Sequence, residues 1–151
     1  MFLFFHPIKK WELKTNKAYC LGKIMQIYNN SLLDDSRPGR IFNGLLIDIY
    51  KAINDLPLEY APYYVEVRRE YIYSKIYAIT LFFNYKKSHA RIIFELDTKR
   101  NNHCYVHSIM NITKDGKMQK NFSNCESVNK VTSVCIKSFI DKFFEEVKNT
   151  K

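Results

Sequence analysis

The chain has 151 residues, 46% hydrophobic and 26% charged, so it is long enough to bury a core without metal or disulfide staples. It carries a net charge of +9 with a pI near 9.3, which implies attraction to a polyanion or to an acidic protein. No stretch approaches the length of a membrane span, which excludes an integral helical membrane protein.

The apolar start, Met-Phe-Leu-Phe-Phe-His-Pro, lacks a basic lead and a small-residue cleavage site, so a soluble cytoplasmic chain is expected. None of the four cysteines, Cys20, Cys104, Cys125 and Cys135, forms a Cys-x-x-Cys pair. They read as free thiols in a reducing compartment, with Cys104 and Cys135 inside apolar patterns. No structural metal is expected.

The pattern is that of a single α+β domain over residues 1–151. In 17–28, Leu21, Ile24 and Tyr28 share a helical face that Gly22 weakens. Asn29–Gly39 reads as flexible. Ser36-Arg37-Pro38-Gly39 then reads as a turn or helix start, and Ile41, Leu45, Leu46, Ile49, Ala52 and Ile53 form an apolar stripe. Leu56-Pro57 ends it, because proline pushes its predecessor out of the helical region.

From Tyr63 to Thr113 the chain is dense in tyrosine and β-branched residues, broken by short polar stretches. This predicts a four-stranded antiparallel meander. In the long second strand, Tyr77, Ile79, Leu81 and Phe83 share one face, and Ile76, Ala78, Thr80 and Phe82 the other. Both sets are apolar, so the strand is expected to be covered on both sides. The C-terminal helix would cover one side, and the N-terminal third or a partner the other. If the N-terminal third does not, Ile79, Leu81, Phe83 and Ile93 become an apolar docking patch beside Tyr105. In the last hairpin the apolar sets coincide when Phe94 pairs with Val106 or a residue an even step away. That requires an odd loop or a bulge near Lys99–Asn101.

Lys114–Asn124 reads as a loop. A capping-box spacing at Ser123-Asn124-Cys125-Glu126 predicts a final helix with Val128, Val131, Cys135, Phe139, Phe143 and Val147 on its apolar face.

Three constellations could carry chemistry. His103, Tyr105 and His107 alternate on one strand opposite Glu95, an arrangement suited to metal-independent acid/base work on an RNA phosphodiester. Glu95-Leu-Asp97-Thr-Lys99 resembles the catalytic half-motif of PD-(D/E)xK nucleases. That resemblance implies a Mg²⁺ site completed by an upstream acid, here Glu66 or Glu70. Lys86, Lys87 and Arg91, with Lys99 and Arg100, form a basic surface beside aromatics that could hold nucleic acid. No phosphate-binding glycine-rich loop or hydrolase elbow is present, and no cofactor is expected.

The expected function is a non-enzymatic binding protein that masks or holds an acidic partner protein. In outline such a chain resembles bacterial toxin-immunity proteins. The alternative is a basic nucleic-acid-binding protein, extending to a small nuclease that uses His103, His107 and Glu95.

Overall fold

A computed structural model describes residues 5–31, 34–70, 76–100 and 103–149, with side chains from Asn16 onward except at 70, 76, 99, 100, 103 and 149. Helix α1 (Phe5–Asn30) is followed by α2 (Arg37–Asn54). Ser36 caps α2 by accepting from the Gly39 N–H at 3.2 Å, with Pro38 in the first turn where its missing N–H costs nothing. Of the expected stripe, Leu45, Leu46, Ile49, Ala52 and Ile53 are buried and Ile41 is half-buried against the core, with Phe42 added.

Strands β1 (Tyr64–Glu70), β2 (Ile76–Tyr85), β3 (Ser88–Arg100), β4 (His103–Lys114) and β5 (Lys117–Ser127) form one antiparallel sheet in chain order. The expected register of the β3–β4 hairpin is present. Leu96 pairs with Val106 and Phe94 with Ser108, and a bulge lies between Asp97 and Arg100.

The fifth strand corrects the expected four. Lys117–Ser127 pairs with β4 along its length, so Lys114–Asn124 is no loop and Ser123–Glu126 is no helix cap. Asp115 and Gly116, at φ 53° and 79°, make the tight turn that folds β5 back. The last helix, α3, runs Ser133–Asn149. Its buried residues are Ile136, Ile140, Phe143 and Phe144, so the stripe is rotated from the expected one and Cys135 is exposed.

All three helices lie on one side of the sheet. Phe42 of α2 meets Tyr77, Phe143 and Phe144 of α3 meet Phe83, and Phe139 meets Phe94, with ring centroids 5.4–6.2 Å apart. Those strand residues share one parity across the registered sheet with Ile79, Leu81, Ile92, Leu96, Val106 and Met110, all buried. Helix α1 also closes the β1 edge, where Lys23 Nζ donates to the Val65 carbonyl at 2.7 Å. The result is a two-layer sandwich in which, among the described residues, the opposite sheet face carries no helix. The C-terminal helix and the N-terminal helices were expected on opposite sides; they share one side.

Candidate functional site

The helix-free face is built by strand alternation alone, because residues paired across strands project to the same side. Four rows cross it. The first is Tyr64, Phe82, Arg91, Asn111 and Asn121, and the second Glu66, Thr80, Ile93, Ile109 and Ser123. The third is Arg68, Ala78, Glu95, His107 and Cys125, and on the last three strands a fourth continues as Asp97, Tyr105 and Ser127. Ile93 and Ile109 are half-buried at its centre, while Glu66, Arg68, Arg91 and Glu95 are exposed around them.

An aromatic corner stands at the β1 side. Phe82 contacts Tyr63 and Tyr64, with centroids 6.2 and 5.7 Å away, and Tyr64 stacks on Tyr19. Lys23 Nζ lies 4.4 Å from the Tyr64 ring centroid, a cation–π contact that holds the corner. Tyr19 and Tyr63 stay exposed, at 46% and 38%.

A polar cluster stands at the far side. His107 Nε2 is 3.1 Å from Asp97 Oδ2 and 4.0 Å from Cys125 Sγ. A cysteine protease-like triad needs the thiol and the carboxylate on different ring nitrogens. Here both approach the same one, so the cluster is not set for nucleophilic catalysis. Cys125 was not singled out by the sequence reading, because Lys117–Ser127 has little strand propensity and its alternation goes unnoticed.

The expected residues therefore separate. Glu95, Tyr105 and His107 share the helix-free face, as does Asp97, while the His103 side chain lies outside the described residues. Glu66 is in a different row and two strands from Glu95, about 10 Å away laterally, too far to share a metal ion. The side chains of Glu70 and Lys99 lie outside the described residues. Among the described residues no group of three or more His, Cys, Asp or Glu side chains could hold a metal ion.

Lys86, Lys87 and Arg91 stand at one end of the sheet, where the Lys114–Lys117 turn joins them through the Ser88–Lys114 pair. The Lys99 and Arg100 backbone is toward the other end of the 13-residue β3, about 26 Å along the strand from Arg91 and about 40 Å from the turn lysines, and the two side chains lie outside the described residues. The backbone at Lys99 and Arg100 is therefore apart from the other basic groups along β3. Ile79, Leu81 and Phe83 are fully buried beneath the helices, and Ile93 is on the opposite face, so no docking patch joins them.

No protein-family model matches the chain, and neither a curated protein nor a solved structure matches it. No described helix is long and apolar enough to cross a membrane.

Proposed function

We propose that the protein is a non-enzymatic binding protein that holds a partner protein against the helix-free face of its sheet. The observation that carries this reading is the placement of all three helices on the other side. Five strands about 4.8 Å apart and four rows about 6.8 Å apart make a face of roughly 600 Å². A standard interface takes about 800 Å² per partner, so the aromatic corner and the lysine end join the contact.

The chemistry of the face favours a protein over a nucleic acid. Its centre is apolar, one corner is aromatic, and its rim alternates Glu66 and Glu95 with Arg68 and Arg91. Those carboxylates would repel a phosphate backbone laid across the strands. The lysines at the β2–β3 and β4–β5 turns complement an acidic region on the partner.

The test is a pull-down from native host extract treated with nuclease, using the wild type and Ile109→Asp. The wild type is expected to retain a stoichiometric protein, and Ile109→Asp to weaken binding of that purified protein about 30-fold, as for a central interface residue. Equal binding by the variant would place the interface elsewhere. Nucleic acid as the sole retained species would overturn the reading.

The nuclease alternative is tested separately. Any nucleolytic turnover of the preparation is expected to be unaltered in His107→Ala. A loss of about 100-fold or more would make His107 a general acid or base, and the protein an enzyme.

A further inference from the structure

The fold treats the two edges of the sheet differently. At the β1 edge, α1 lies alongside and Lys23 Nζ takes up the Val65 carbonyl. At the β5 edge, among the described residues, no strand and no backbone group pairs with the outer side of Lys117–Ser127. β5 is 11 residues long, and few of its side chains are apolar or buried. A typical strand has about 5–6 residues, so this edge is long as well as open. Every second residue of it turns its N–H and C=O outward.

Such an edge takes up another strand unless proline, a bulge or a charge blocks it. β5 contains no proline. Its register shift falls near the turn, between Met118 and Lys120, so the ladder is regular from Lys120 to Ser127. That regular stretch carries one cation, Lys120, and one anion, Glu126, towards opposite ends. Both project to the helix side, opposite Ile112 and Val106, where Lys120 also pairs with Glu146 of α3.

We propose that two copies of the chain pair through β5, antiparallel about a two-fold axis at Ser123. The charges select this occupant. Antiparallel self-pairing about Ser123 sets each Lys120 opposite the other copy's Glu126, so the stretch is complementary to itself. A parallel copy in register would set lysine against lysine. The axis stands perpendicular to the sheet, so each face continues across the seam. On the helix-free side Asn121 then lies opposite Cys125, and Ser123 opposite its own copy. Pairing does not depend on whether that face holds a partner protein. Its consequence is one ten-stranded helix-free face of roughly 1,200 Å².

The test reads the mass of the full chain in reductant by sedimentation equilibrium. Between about 1 and 100 µM, where a contact of one strand pair dissociates, the average mass is expected to rise from 18.0 kDa toward twice that. Lys120→Glu and, separately, Glu126→Lys set like charges opposite each other and should each weaken association about tenfold. Mixing the two variants should restore it, because unlike copies again oppose opposite charges. Circular dichroism checks that each variant is folded. Asn121→Cys reads the register: opposed Cα atoms about 4.5–5.5 Å apart are within disulfide range, so mild oxidation should give a covalent dimer through Cys125. Adding Cys125→Ser should abolish that cross-link. A wild type that stays at 18.0 kDa at about 100 µM would overturn the proposal. So would a dimer that both charge variants leave unchanged, or a mixture that associates no better than its components.

Discussion

Ile79→Asp is expected to unfold the protein, and Ile93→Asp to leave it folded. The two residues sit on neighbouring strands, one position from being paired, since Ile79 pairs with Phe94 and Thr80 with Ile93. That single step changes the face. Ile79 is fully buried in the core shared by the helices and the sheet. A carboxylate there must either stay ionised without a partner or take up a proton, and the apolar contacts are lost in both cases. The expected cost is above about 4 kcal/mol, a large part of a typical total of about 5–15 kcal/mol. Ile93 is half-buried on the helix-free side, where an aspartate reaches water, and the expected cost is below about 1.5 kcal/mol. Urea titration followed by circular dichroism measures both. The milder Phe83→Ala, which removes contacts to Phe143 and Phe144, should cost about 4 kcal/mol and still yield a transition to fit. Two unfolded aspartate variants would mean that both sheet faces are core.

The second large effect belongs to Arg69, the one charged side chain that β1 sends under the helices beside Val65 and Val67. Its guanidinium lies 3.5 Å from Asp34 Oδ2, donates to Asn43 Oδ1 at 2.6 Å, and stands over the rings of Phe42 and Tyr77. Both partners of the ion pair are mostly buried, at 13% and 14% side-chain exposure. Asp34 also accepts from Tyr77 Oη at 3.0 Å and from Ser36 Oγ at 2.6 Å, which ties the start of α2 to the sheet. Gly39 leaves room for this: a methyl group there would come within 2.5 Å of the Asp34 carboxylate. Arg69→Ala removes the counter-charge and leaves the carboxylate buried, so a loss of about 3 kcal/mol is expected in urea. The double variant Asp34→Asn with Arg69→Met should lose less than the sum of its single changes, because neither isolated charge remains. Additive losses would show that the pair is not coupled.

The parts of the fold legible in the sequence were those where burial imposes a period. The α2 stripe and the register of the β3–β4 hairpin both follow from apolar spacing, and both are present. β5 was hidden because its side chains are mostly exposed, so Lys117–Ser127 has no apolar alternation to read. The local signal was Asp115-Gly116, whose positive φ angles suit a two-residue hairpin turn. Missing it placed the expected helix cap at Ser123–Glu126, ahead of the actual start at Ser133, rotated the expected α3 stripe, and hid Cys125 beside His107. The side on which the helices pack was not legible either. β2 is apolar on both faces, yet only one is covered, and Thr80 and Phe82 on the other remain half-buried among their own neighbours. Helix packing chose the face with the larger rings, and pattern alone does not rank the two.

The central claim is that the helix-free face is the binding face, and Cys125 reports on it directly. The partner recovered from host extract is mixed with the protein, and alkylation of Cys125 and Cys135 is timed with and without it. Slower alkylation of Cys125 in the complex, with Cys135 unchanged, is the predicted result. Cys125 reacting equally fast in the complex would place the partner on another surface and contradict the account.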